Sequence, residues 1–338
     1  MLGYLLRRVM AMPLLLLGIA SVVFLLSQVT KGDPLSALIP ERMMSNETLV
    51  ATVKAQWGLD RSLPERYLIY MGHLVQGDLG TSFGTRRPVS TDIAERLPAT
   101  IELVVAAMIF GCTSGIGLGL LAARFKNTAT DSAARIFALI GSSVPVFWSG
   151  LILLFIFSVK LGWVTGPGRL DARTDAPPGV TGFFTIDSLL AGNLPLFGEA
   201  LAHLMLPAFV LGWSVTGIIT RLIRSSLLEA MNMDYIRTAR AKGAPENVVL
   251  MHHALRNALI PALTILGFTF AYLITGAVLT ETIFSWPGIG SYAVSAARSL
   301  DYPAIIGVTL VGAMAFLVAN LLTDIAYAFA NPRVKLEG

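Results

Sequence analysis

Six stretches of this chain, near residues 9–30, 98–123, 136–159, 201–220, 261–284 and 304–328, are long and apolar enough to cross a bilayer as helices. About 20 apolar residues span the hydrocarbon core, and a helix satisfies each backbone N–H and C=O within the span itself. Six such stretches in 338 residues leave little chain for a soluble domain. Composition agrees: 14% of the residues are charged and 54% hydrophobic, where soluble domains carry about 25% charged residues. The expectation is an all-α polytopic membrane protein with six transmembrane helices.

The first stretch follows Arg7-Arg8, as a signal peptide would. Its apolar run is long for that role, and no small-x-small cleavage site precedes Lys31-Gly32-Asp33-Pro34, so residues 1–30 read as an uncleaved signal anchor. With the N-terminus cytoplasmic, segments 1–8, 124–135, 221–260 and 331–338 hold 13 basic and 5 acidic residues, and segments 31–97, 160–200 and 285–303 hold 12 and 13. Loops longer than about 60 residues translocate regardless of charge. Setting aside 31–97 leaves 13 basic residues against 4, which puts both termini in the cytoplasm. A pI near 9.3 does not indicate nucleic acid, because the basic residues are spread over many loops. The single cysteine, Cys112, sits in an apolar block and excludes an internal disulfide framework.

Segment 31–97 reads as an extracytoplasmic helical insertion. A short amphipathic helix is expected over 46–57, ending at Gly58. Pro64 suits the first turn of a second, with Leu68, Met71, Leu74 and Val75 on one face and a stop near Gly77. Segment 161–200, rich in Gly, Pro and Asp around Ala176-Pro177-Pro178-Gly179, is expected to be an irregular, lid-like loop. Two such elements either receive a delivery protein or merely connect spans.

The segment between the fourth and fifth spans is polar and basic. Met233 to Ala241 lacks Gly and Pro, Gly243 suits a left-handed helix end, and Pro245 suits the first turn of a second helix over 245–257, entered through Gly243 or Ala244. Arg237, Arg240 and Lys242 give the first helix a positive surface, with Glu246 and Asn247 beyond. A stiff helix–turn–helix transmits a push to the attached spans, where a floppy loop dissipates it. The competing reading is a basic juxtamembrane loop on anionic lipid.

Here the chain resembles the permease subunits of binding-protein-dependent ATP-driven importers. Their loop pattern, Glu-Ala-Ala, three residues, then Gly, aligns with Arg237-Thr238-Ala239 and Gly243; only the final Ala matches literally, and Pro261 falls later than in the general pattern. The dipeptide and oligopeptide branch reads like Tyr235-Ile-Arg-Thr-Ala-Arg-Ala-Lys-Gly243 and His253-Ala-Leu-Arg-Asn-Ala-Leu-Ile-Pro261. Gly32-Asp33-Pro34, Gly77-Asp78-Leu79-Gly80, Glu95-Arg96-Leu97-Pro98-Ala99-Thr100, Pro145-Val-Phe-Trp148, Glu281 through Gly288, Asp301-Tyr302-Pro303 and Asn331-Pro332-Arg333 extend the resemblance over nearly the whole chain.

The resemblance implies a type I ABC importer permease fold in the bacterial inner membrane, with a core over 98–330, a coupling loop at 221–260 and a cytoplasmic tail at 331–338. It implies a second homologous permease subunit, two ATP-binding subunits, an extracytoplasmic solute-binding protein and membrane lipid as partners, with no nucleic acid. It assigns ATPase coupling to Tyr235, Arg237, Thr238, Ala239, Arg240, Lys242, Gly243, Ala244, Pro245 and Glu246. The chain lacks a Gly-x-x-x-x-Gly-Lys-Ser/Thr phosphate cradle, so no cofactor is expected on it; ATP and Mg belong to partner subunits. Dipeptides or oligopeptides are the implied cargo, with an opine, glutathione, a nickel chelate or a peptide antibiotic as alternatives on the same machinery.

Three carboxylates fall inside spans, Glu102, Glu281 and Asp324, and intramembrane charge points by default to a pathway. With Trp286 they are the candidates for the translocation pathway or its gate. Glu102 is expected to touch water near the outer end of its span. Glu281 either faces the cavity or holds the bend at Trp286-Pro287-Gly288. Phe147, Trp148 and Trp286 suit membrane-interface anchors. Gly115, Gly117 and Gly119 suit close helix packing. His252 and His253 are adjacent and point about 100° apart on a helix, and His73 and His203 stand alone in sequence, so neither a metal site nor a catalytic group is expected. No pair of carboxylates makes a credible intramembrane hydrolase dyad. A proton-coupled secondary transporter remains as an alternative class; uptake that persists without ATP is its signature.

Overall fold

The structure, a computed structural model, describes residues 2–29, 44–57, 61–164 and 166–330. Gly32-Asp33-Pro34, the expected stop at Gly58 and the tail 331–338 lie outside the described residues. The fold is all-α. Its helices are α1 Leu2–Val29, α2 Glu47–Trp57, α3 Leu63–Val75, α4 Val89–Arg124, α5 Ala129–Ser143, α6 Val146–Leu154, α7 Phe184–Leu190, α8 Leu194–Ala230, α9 Asp234–Ala241, α10 Leu255–Ile283, α11 Ile289–Arg298 and α12 Tyr302–Ala330.

Four helices are each long and apolar enough to cross a membrane: Arg7–Leu26 within α1, α4, α8, and Tyr302–Thr323 within α12. Two bent pairs bring the number to six if each counts as one span. The expected continuous span 136–159 is one of these pairs, and it is broken by 105° between Ser143 and Val146. Pro145 is the cause. Its ring drives the preceding residue out of the helical region, and Val144 sits at φ −80°, ψ 131°. The fifth expected span is bent by 50° after Ala262, beside Pro261.

The chain forms two compact units. One comprises Pro98–Pro287 with the stretch from Val318, and the other Leu2–Leu97 with Gly288–Leu317.

In the first unit, a core runs from Ala99, Leu103 and Ala107 of α4 through Leu211, Val215, Ile219, Ile223 and Leu227 of α8 to Leu273 and Ala277 of α10. Glycine brings α4 against α8. A Cβ on Gly111, Gly115 or Gly119 would lie 2.6, 2.7 or 2.8 Å from the Cβ of Val215, Ile219 or Ile223. These three glycines are four apart, as are their partners, so one bare stripe receives one branched ridge. Gly117 is outside the stripe, with nothing within 4 Å of its would-be Cβ, so the expected Gly115-Gly117-Gly119 set becomes Gly111-Gly115-Gly119. Alanine at Gly117 is expected to stabilise the helix by about 0.5–1 kcal/mol. At Gly115 the same change is expected to destabilise by about 1–3 kcal/mol through overpacking. Thermal unfolding of the two variants in detergent checks the opposite signs.

In the second unit, Ala20, Ile306 and Leu310 pack with Tyr70, Met71 and Leu74. Pro64 lies in the first turn of α3 as expected; the Ser62 N–H donates to the Glu65 carboxylate at 3.2 Å, and Gly77 (φ 79°) follows its end. Its expected apolar face is only half right, because Leu68 and Val75 are exposed while Tyr70, Met71 and Leu74 are packed. Asp301 accepts from the Ser82 hydroxyl and the Gly84 N–H at 2.5 and 3.0 Å, tying the 81–88 loop to the start of α12.

Candidate functional site

Helix α9 is short because both ends are fixed locally. Met233 enters it extended, at φ −79°, ψ 153°. At the other end Gly243 takes φ 81°, a conformation cheap only for glycine. The Gly243 N–H donates to the Arg240 carbonyl at 2.9 Å and the Ala244 N–H to the Ala239 carbonyl at 3.2 Å, the bond pair of a Schellman cap. Across the turn Arg240 grips Glu246 with two bonds of 3.1 and 2.7 Å. Pro245 caps the next turn from outside it, at φ −65°, ψ 147°, and its carbonyl accepts from Val248 and Val249. The expected separate helix 245–257 is instead one turn, Glu246–Val248, then a π-helical stretch, Val249–Ala254, that runs directly into α10. The turn is therefore joined to a membrane helix without a flexible joint.

Side chains of α9 divide cleanly. Ile236 and Ala239, three apart, are buried in the core with Leu227 and Ala230 of α8 and with Val249 and Leu250. Tyr235, Arg237, Thr238, Arg240, Lys242, Pro245 and Glu246 are exposed, and Ala244 is half-buried. The result is a rigid basic ledge, keyed into the core by its inner face. Close by, the buried Asp131 carboxylate of α5 accepts two bonds of 2.8 Å from Arg224 of α8, with Arg135 at 3.1 Å and the Asn127 N–H at 3.0 Å. This bidentate pair locks α5 to the last turns of α8, directly before α9.

Glu102, Glu281 and Trp286, three of the remaining expected site residues, are buried and hydrogen-bonded. Glu102 is buried, not water-exposed as expected. One oxygen takes Arg169 at 2.5 Å, and the other takes the Thr185 N–H and hydroxyl at 2.9 and 2.6 Å. Arg169 also donates to the Gly182 carbonyl at 2.8 Å and lies 3.5 Å over the Phe184 ring. Burial pulls the Arg169 guanidinium below its ordinary value, and the Glu102 charge opposes that pull. Glu281 is fully buried and accepts from the Thr100 hydroxyl at 2.6 Å. Trp286 is 1% exposed, and its indole N–H donates to the Ala99 carbonyl at 2.8 Å, so it is a core residue and not the expected interface anchor. Phe147 and Trp148 are exposed, as anchors would be. Asp324 lies on α12; its side chain is outside the described residues.

Segment 161–200 is not uniformly irregular, since α7 lies within it. Asp187 of α7 organises the preceding turn. Burial alone would raise its carboxyl, but bonds from the Thr181 hydroxyl and N–H and the Gly182 N–H win and hold it below the usual range. Sequence reasoning missed Arg169, the Asp131–Arg224 pair and a further cluster of Asp171, Glu199 and His203. The first two join residues 67 and 93 positions apart, and no local pattern marks such pairings. Only Glu199 and His203, four apart on α8, carried a local signal.

Comparison with known proteins gives a consistent result. The family model described as "Binding-protein-dependent transport system inner membrane component" matches residues 115–336. The one described as "Binding-prot-dependent transport system membrane comp, N-term" matches residues 1–104. The chain is 43% identical to the di/tripeptide transport system permease protein DppB of Pseudomonas aeruginosa strain UCBPP-PA14, over 99% of each chain. It is 41% identical to the probable D,D-dipeptide transport system permease protein DdpB of Escherichia coli strain K12, over 98% of this chain and 97% of that one. It is 40% identical to the dipeptide transport system permease protein DppB of the same strain, over 99% of each.

Proposed function

This chain belongs to the inner membrane components of binding-protein-dependent transport systems, and from that premise we propose how it works. It is a transmembrane permease subunit of an ABC peptide importer. In our reading it crosses the inner membrane six times with both termini cytoplasmic, each bent pair being one span. It pairs with a second, homologous permease. Two ATP-binding subunits dock from the cytoplasm, and an extracytoplasmic solute-binding protein delivers dipeptides or oligopeptides.

The observation that carries this reading is the keyed basic ledge of α9. Tyr235, Arg237, Thr238, Arg240, Lys242, Pro245 and Glu246 form the contact surface toward the ATP-binding subunits. Ala239 anchors it, and Gly243 and Ala244 shape its turn. A force applied there reaches α8 through Ile236 and reaches α10 through the unbroken helical path from Glu246. The Asp131–Arg224 lock carries it on to α5. Glu102, Glu281 and Trp286 act as the frame of the pathway's outer gate, supported by their burial and bonding. Asp324 is the pathway candidate on α12. Selectivity rests with the delivery protein, since a pore that bound cargo tightly would retain it.

The test is uptake of labelled dipeptide by the complete complex in proteoliposomes. Uptake is expected to require both ATP and the binding protein. Dipeptide uptake driven by a proton gradient without ATP would point instead to secondary transport. Failure with dipeptides but ATP-driven uptake of an opine, glutathione or a metal chelate would overturn the cargo alone.

A further inference from the structure

Glu199 and His203 stand four residues apart on α8, so they share one face, and Asp171 of the preceding segment meets them. One ligand atom from each of the three lies within 4.8 Å of the others. The imidazole decides what the cluster is for. His203 is buried, and its Nδ1 lies 3.1 Å from the Gly168 carbonyl. A carbonyl only accepts, so in the neutral imidazole Nδ1 carries the proton and Nε2 offers its lone pair. That Nε2 is buried without a hydrogen-bond partner. It faces the Asp171 carboxylate at 3.8 Å, too far for a hydrogen bond.

Two electron-pair donors at that separation match the spacing of ligands on one cation. Zinc binds imidazole nitrogen and carboxylate oxygen at about 2.0–2.2 Å, so an ion set between the two atoms spans 3.8 Å without moving either one. A carbonyl on the other ring nitrogen is also the usual outer partner of a ligating histidine, fixing its tautomer. Glu199 is itself oriented, accepting from the Asp171 N–H at 2.8 Å and the Thr174 hydroxyl at 3.2 Å, and each of its oxygens keeps a lone pair. Asp171 is exposed, and a cavity of about 300 Å³ lined by Thr174, Asp175, Asn193 and Glu199 adjoins the cluster. An ion can therefore enter from solvent.

We propose that Asp171, Glu199 and His203 form a site for a divalent first-row transition ion of the zinc class, with water in the fourth position. The imidazole selects such an ion over Ca²⁺ or Mg²⁺, which take all-oxygen shells. Bound there, the ion would fasten residues 168–174 to the first turns of α8, the same helix whose far end carries the ledge. The inference is independent of cargo.

The test titrates Zn²⁺ into the full-length chain, purified without a polyhistidine tag, in competition with a chromogenic chelator. One tight equivalent is expected, weakened by at least about tenfold in Asp171→Asn and in Glu199→Gln. Both residues have exposed or half-exposed side chains, and folding is verified by thermal unfolding without metal. His73→Ala, which removes a histidine–carboxylate contact elsewhere in the chain, His73–Asp78, is expected to leave the equivalent in place. X-ray absorption should show a nitrogen and oxygen shell with an imidazole signature and no sulfur. Absence of a tight equivalent in the wild type overturns the proposal. So does equal affinity in the wild type and the Asp171→Asn/Glu199→Gln double variant.

Discussion

Replacing Gly243 by proline is expected to abolish binding-protein-stimulated ATP hydrolysis and peptide uptake, while the chain still inserts and assembles. Two independent losses converge on that residue. Proline cannot adopt the φ of 81° that the turn requires. It also removes the N–H that donates to the Arg240 carbonyl. A cost of about 3 kcal/mol or more corresponds to a fall of about a hundredfold in the population of the correctly shaped turn. Insertion is spared because Gly243 is exposed and nothing packs within 4 Å of its would-be Cβ. Gly243→Asn is the control: asparagine tolerates the left-handed region and keeps the N–H, so stimulated hydrolysis should remain within about a factor of two or three of wild type. ATP hydrolysis by the reconstituted complex reads both. Full stimulation of the proline variant would show that the turn's shape does not matter to coupling.

Truncation of Glu102 to alanine is expected to destabilise the protein by about 3–5 kcal/mol. The Arg169 guanidinium beneath it is 6% exposed, stacked on Phe184, and its Nε has no hydrogen-bond partner. Removing the carboxylate leaves a buried cation with the Gly182 carbonyl for company and frees the Thr185 N–H and hydroxyl. Breaking a buried pair on one side costs about 3–5 kcal/mol, whereas replacing both partners by apolar groups of similar size is often close to neutral. Glu102→Leu/Arg169→Met should therefore unfold at a higher temperature than Glu102→Ala. Protease resistance and thermal unfolding of the detergent-solubilised protein compare them. If Glu102→Ala matches wild type, the pair is not the clamp that orders segment 169–185.

Hydropathy located apolar stretches, four of which lie in helices long enough to cross a membrane, but not where the helices begin, bend or end, for a physical reason. It reports contact with hydrocarbon, which is about 30 Å thick, whereas a helix continues as long as its backbone bonds do. The fourth expected span, 201–220, is the apolar middle of α8, whose 37 residues extend about 55 Å. Asn193 caps its start, and polar Arg221, Arg224 and Glu229 continue it past the apolar block. Local chemistry was legible where a single residue dictates the backbone, as at Gly243 and Gly77. At Pro145 the sequence carried the breaker, and the apolar run masked it. Partnerships were not legible. Glu102 and Glu281 are carboxylates whose bonded partners are distant in sequence, so their intramembrane position suggested a pathway while the bonds they make were not visible, and the same distance hid the Asp131–Arg224 pair. The glycine stripe was misread by one position because its true period, four, follows the facing ridge of α8 and not the local Gly-x-Gly-x-Gly pattern.

ATP-derived force is proposed to enter this subunit at the α9 ledge. Cysteines placed singly at Tyr235 and Lys242, in a chain with Cys112 replaced by serine, allow short-reach cross-linking in the complete complex through the nucleotide cycle. The expected result is a covalent link to an ATP-binding subunit that depends on the nucleotide state, together with protection of both positions from an impermeant thiol reagent added outside sealed cells. Labelling of either cysteine from the outside, or absence of any link to an ATP-binding subunit in every nucleotide state, would contradict the account.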